Sequence, residues 1–194
     1  MHISPTDRNL VREMREFGVL RDAEGHRLDQ ASGVILVACA DGDQMPDLFR
    51  FQAGMSDGQR EVPRVHVLAL NGGALLIPDG SPITNVGEDR VIIEHLRGAQ
   101  GLKGISTVAL YVHAPCGMAY GAQLSFEGVI GLLMQAKTRV KEMVPGLRVA
   151  CFCHVDKGEG NRRTYFVSRD EYDRWCLTRQ ERAEVSASAV SIHA

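Results

Sequence analysis

Val34-Ile35-Leu36-Val37-Ala38, running straight into Cys39, is the stretch whose reading decides the fold. No polar residue interrupts it, so neither face is made for water. An apolar run without alternation suits a parallel strand buried on both sides. Upstream, residues 19–32 are polar and turn-rich and end in Gln30-Ala31-Ser32-Gly33. Ahead of them, Ser4-Pro5 reads as a helix N-cap with proline in the first turn, Leu10, Met14 and Phe17 recur at helical spacing, and Gly18 stops the helix. Downstream, 41–64 reads as loop with a short helix, and Val65 to Leu70 is a second strand closed by Asn71-Gly72-Gly73. A helix over about 88–99 with Val91, Ile92, His95 and Leu96 inside, a strand from Thr107 to Val112 and a helix over about 122–144 follow. Leu147 to Val155 is a fourth strand, and Arg163 to Val167 pairs with it after the turn Lys157-Gly158-Glu159-Gly160-Asn161. Ser168-x-x-Glu171 is a capping-box pattern opening the last helix, which carries Trp175, and the tail from Val185 is expected to fray.

Strands alternating with helices predict an α/β fold: a central, mostly parallel β-sheet flanked by helices on both faces. The 194 residues fit a single domain, with an N-terminal helical arm (1–27), a core (28–168) and a C-terminal helix and tail (169–194). Composition narrows the function. The chain is 44% hydrophobic and 24% charged with a formal net charge of −2, and it has no lysine or arginine run, which argues against a nucleic-acid partner. No apolar stretch approaches the roughly 18–20 residues that span a bilayer. The opening MHISPTDRNLVREMREFG has no signal-peptide core, so a cytoplasmic location is expected. Five cysteines, at 39, 116, 151, 153 and 176, are an odd count for a disulfide framework in a chain too large to need one.

In parallel sheets, function collects beyond the carboxyl ends of the strands. Cys39, Asn71-Gly72-Gly73 and His113 all fall there. His113-Ala114-Pro115-Cys116 places imidazole and thiol three residues apart just past a strand. Zinc accepts both donors, and a Cys₂His set with Cys39 leaves a fourth tetrahedral position for water. A rival cluster, Cys151-Phe152-Cys153-His154, lies along one strand. Alternation puts its two thiols on one face and the imidazole on the other, so they read as packed residues. Cys176 beside Trp175 reads as core, and His66 and His95 as satisfied or surface histidines. Asn71-Gly72-Gly73-Ala74 lacks the spacing and lysine of a phosphate loop, and reads as a close approach of backbone to the site.

Cys39-Ala40-Asp41 after one apolar strand and His113-x-x-Cys116-Gly117 after another resemble the site of the β-class carbonic anhydrases, whose pattern is C-x-D-x-R followed by H-x-x-C-G. Gln30, nine residues before Cys39, stands where that family has a substrate-binding glutamine. Asn71-Gly72-Gly73 resembles the family's R-N-x-G turn, and 147–167 its C-terminal hairpin, so the likeness covers roughly 28–168. Two positions depart from the pattern: Asp43 replaces the arginine that pairs with the aspartate, and Leu70 replaces the arginine opening the turn. The stretch between Cys39 and His113 is also long for the family, with insertions placed near 56–64 and 79–84.

The resemblance implies Zn2+ on Cys39, His113 and Cys116. It implies reversible hydration of CO2 to bicarbonate by zinc-bound hydroxide, with Gln30 orienting substrate and Asp41 orienting or deprotonating the water. A homodimer or larger assembly is also implied, with the N-terminal helix reaching across a partner, although Leu10, Met14 and Phe17 fit packing on their own domain equally. Without an arginine at 43, Asp41 could close the site as a fourth ligand unless Arg50, Arg60 or Arg64 holds it. The alternatives are therefore an inactive zinc-binding homologue, or hydrolysis of another cumulene such as CS2 or COS. A thiol redox role for Cys151 and Cys153 stands far behind.

Overall fold

The computed structural model describes residues 2–23, 28, 32–55, 64–84 and 87–191, with side chains as far as 184. Six strands form one sheet: β1 (Leu20–Arg21), β2 (Val34–Cys39), β3 (Val65–Leu70), β4 (Thr107–Ala114), β5 (Arg148–Asp156) and β6 (Arg162–Val167). Their spatial order is β1-β6-β5-β4-β2-β3. The β3-β2-β4-β5 block is parallel, and β6 with β1 adds an antiparallel edge. The helices are α1 (Pro5–Phe17), α2 (Met45–Gly54), α3 (Glu88–Lys103), α4 (Gly117–Gly121), α5 (Phe126–Met143) and α6 (Arg169–Ser191). A 3-10 turn, Gly73–Leu76, follows β3. The expected α/β class with a mostly parallel sheet is the one observed.

All six residues of β2 are buried, as an unalternated run requires. Ile35, Val37 and Cys39 join Val108, Leu110, Val112, Cys151 and Cys153 on one face, under side chains from α1, α3, α5 and α6. Val34, Leu36 and Ala38 face the other way with Ala109, Tyr111 and Phe152, and Leu48 of α2 closes that side. There Tyr111 stacks on Phe152 with centroids 4.8 Å apart, and Tyr111 donates its hydroxyl to Gln52 at 3.0 Å. Each fully buried aliphatic side chain in these layers contributes about 1.5–3 kcal/mol, so the sheet is held from both faces.

Several details depart from the expectations. β1 had no counterpart in them. α5 starts at Phe126 rather than near 122, because Ser125 caps it by accepting the Gly128 amide, and α4 uses the residues before. α3 runs on to Lys103, one turn past the expected end. The capping box is not closed: the Ser168 amide donates to the Val19 carbonyl, and Glu171 pairs with Arg21 instead. Helical backbone continues through Ser191 where fraying was expected. α1 packs on its own domain, with Val11 and Met14 in the core cluster. No helix among the described residues is long and apolar enough to cross a membrane.

The strand order positions the site. β3 lies on one side of β2 and β4 on the other. The chain thus reverses direction across the sheet at β2 and β4, and a crevice opens beyond their carboxyl ends. Cys39 and His113 stand at those two ends.

Candidate metal centre

Cys39 closes β2, His113 is the next-to-last residue of β4, and Cys116 immediately precedes α4. All three are buried, and one ligand atom from each lies within 4.8 Å of the others. It is the one such His/Cys/Asp/Glu group among the described residues. His113 is 3% exposed, yet neither ring nitrogen has a hydrogen-bond partner. Buried polar atoms are seldom left unpaired, and a cation between the two sulfurs would satisfy one of the two nitrogens. The donor set fits zinc.

The turn after β3 shapes the floor. Gly72 donates its amide to Cys39 Sγ at 3.3 Å. A Cβ on Gly73 would stand 2.4 Å from the Ala38 carbonyl carbon and from the Cys39 nitrogen, and Gly73 has φ +53. The close backbone approach expected of Asn71-Gly72-Gly73 is therefore present, and glycine is required for both its size and its φ.

The two thiols share a proton. The bond from Cys39 to Cys116 pushes Cys39 up to about 12, with burial adding to the rise. The same bond brings Cys116 down to about 6 against burial, helped by the amides of Ala119 and Met118 in α4. One thiolate is thus preformed near neutral pH, beside a neutral thiol.

Asp41 Oδ2 lies 3.9 Å from His113 Nε2. Its Oδ1 accepts the Asp43 amide at 2.9 Å. Of the proposed arginines, the two among the described residues bond elsewhere: Arg50 pairs with Asp47 and Arg64 donates to the Ser32 carbonyl, while Arg60 lies outside the described residues. Gln30 also lies outside them. The residue missed from sequence is Arg162. Its Nη1 donates to the Asp43 carbonyl at 3.1 Å and to Asp47 at 3.0 Å, and its Nε donates to Asp156 at 2.9 Å. One signal was available, because Asp156 and Arg162 flank the hairpin turn and pair in the β5–β6 ladder.

The rival cluster does not converge. Cys151 and Cys153 are fully buried in the core, where desolvation pushes both thiols up. His154 bonds Thr164 Oγ1 through Nδ1 at 2.8 Å. Cys176 is half-buried against the core rather than inside it.

An α/β domain with a buried Cys-His-Cys group at its switch point is the class that fold and site define. No family model matches the chain, and none of the curated proteins does. Solved structures similar to it include a β-carbonic anhydrase of the protozoan Trichomonas vaginalis, at 14% identity over 84% of this chain and 94% of that one, with a TM-score of 0.45. A carbonic anhydrase of Streptococcus mutans is 16% identical over 87% of this chain and 100% of that one, with a TM-score of 0.44. A β-carbonic anhydrase of the fungus Aspergillus fumigatus is 9% identical over 77% and 99%, with a TM-score of 0.42.

Proposed function

We propose that Cys39, His113 and Cys116 hold one Zn2+ and that the protein is a divergent β-carbonic anhydrase-like enzyme hydrating CO2 reversibly to bicarbonate. The observation that carries this reading is the buried His113 with both nitrogens unpaired, within 4.8 Å of two thiol sulfurs. Bound zinc would supply a Lewis acid that acidifies water, though less than an all-histidine site does, because two thiolates offset its charge.

Asp41 decides whether the site is open. Asp41 Oδ2 stands 3.9 Å from His113 Nε2, beside the donor group, and Oδ1 is held by the Asp43 amide. This favours Asp41 as a proton acceptor just outside the ligand shell. A carboxylate so near the donors keeps the closed, inactive arrangement as the second reading.

CO2 hydration followed by stopped flow on zinc-loaded protein between about pH 7 and 9 tests the proposal, since the metal-bound water is expected to ionise at or above ~7. Activity rising across that window is expected. Its absence in fully loaded protein removes the hydratase reading, and activity gained by Asp43→Arg would establish the closed one.

Metal uptake carries its own pH signature. Each thiol shifts the other in opposite directions, Cys39 up and Cys116 down, so near neutral pH the pair holds one proton. Zinc needs both thiolates, so below the range in which the metal-bound water ionises it displaces closer to one proton than to two. Two ordinary thiols with pKa ≈ 8.5 would release nearly two at pH 7. Calorimetry in buffers of different ionisation enthalpy counts the protons, and a count near two at pH 7 would contradict the shared proton.

A further inference from the structure

We infer that Arg162 of β6 is the positioning residue of the Asp41 turn, gripping its main chain from behind so that the carboxylate stays outside the metal shell. The inference rests on the zinc reading of the same site and adds a determinant from a distant strand.

The turn is built by short-range bonds. The Asp41 carbonyl accepts the amides of Gln44 and Met45, both at 3.1 Å, and its Oδ1 accepts the amide of Asp43 at 2.9 Å. Residue 43 therefore faces Asp41 with its N–H, while its carbonyl accepts from Arg162 Nη1 at 3.1 Å. The same Nη1 reaches Asp47 Oδ2 in the first turn of α2 at 3.0 Å. Arg162 is itself braced by Asp156 Oδ2 at 2.9 Å, and Asp156 Oδ1 accepts the Gly158 amide at 2.8 Å. One guanidinium thus joins the β5–β6 hairpin to the turn and to α2. The planar fork of arginine offers several donors in fixed directions, which a point charge does not.

Asp41, Asp43 and Asp47 fall within seven positions, and Asp47 and Asp156 both pair with this guanidinium. Repulsion among them would push the turn outward or swing Asp41 toward the nearest cation. Arg162 opposes both by neutralising Asp47 and fixing the position of residue 43. Its ion pairs are solvent-exposed, and such pairs add little to global stability. Removing Arg162 therefore releases the turn without unfolding the domain. The Asp41 carboxylate, whose Oδ2 already lies 3.9 Å from His113 Nε2, is then free to join the donor group.

The test uses full-length protein loaded with Co2+, whose visible spectrum reports coordination, and thiocyanate as a probe for an open position. Wild type is expected to bind Co2+ and change spectrum with thiocyanate. Arg162→Ala, with Arg162→Gln as the milder variant, is expected to keep the wild-type far-UV spectrum and bind Co2+ but respond to thiocyanate about tenfold more weakly, the scale of outer-shell substitutions. Adding Asp41→Asn to either variant should restore the response, because the competing carboxylate is gone. Wild type that takes up no Co2+ overturns the zinc reading itself. Wild type that binds Co2+ but ignores thiocyanate, or Arg162 variants that respond as wild type does, leave the zinc site standing and overturn the role of Arg162.

Discussion

Alanine at Gly73 is expected to destabilise the protein by about 3–5 kcal/mol and to remove most of its affinity for zinc. The new Cβ would meet the Ala38 carbonyl carbon and the Cys39 nitrogen at 2.4 Å, and the Ala38 carbonyl oxygen at 2.8 Å. These are main-chain atoms of a central strand buried on both faces, so they cannot move aside as a flexible side chain would. Overpacking of a rigid core costs about 1–3 kcal/mol or more, and left-handed backbone with a Cβ adds about 1–2 kcal/mol. The displaced atoms carry Cys39, so the metal site is distorted along with the fold. Gly72→Ala provides the comparison. It shares the positive φ, but its Cβ would meet the Ile83 Cδ1 methyl at 2.9 Å, which can turn away. Urea denaturation of both variants decides the matter: equal, small losses would mean that the turn after β3 does not press on β2 as described.

His113→Ala should separate metal binding from folding. Zinc on a small protein site is worth roughly 10–16 kcal/mol near neutral pH, so one of three protein ligands carries about 3–5 kcal/mol, or more than a hundredfold in affinity. Competition with a chromophoric chelator should register that loss. The metal-free variant is expected to keep its stability better than most truncations of a buried side chain. The cavity it leaves is offset by the removal of two buried nitrogens that no partner satisfies. His154→Ala is the control. That imidazole already bonds Thr164, and its loss should leave zinc affinity close to wild type. If His154→Ala abolished binding and His113→Ala did not, the ligand set assigned here would be wrong.

Much of the fold was legible because its signals are local. An apolar run without alternation marked β2, and the turn Lys157 to Asn161 between two strand patterns marked the β5–β6 hairpin. Alternation along β5 correctly separated Cys151 and Cys153 from His154. The errors came where local signals competed. Ser168 and Glu171 have capping-box spacing, but β1 brings Val19 and Arg21 to them as better-placed partners. The start of α5 went to Ser125, since the side chain that caps the helix sets its boundary.

The amino-acid order alone determined which donors exist, Cys39, His113 and Cys116, and that each ends or follows a strand, because hydrophobic periodicity and strand length are properties of neighbouring residues. It also placed glycine where backbone must approach closely. Only the tertiary structure decided that β4 lies beside β2, bringing His113 to Cys39 across more than seventy positions. It likewise decided that Asp41 stands 3.9 Å from that imidazole and that Arg162, from a distant strand, donates to the Asp43 carbonyl in its turn. The physical reason is that strand order and side-chain reach follow from packing the whole sheet, and no short window of sequence contains that balance.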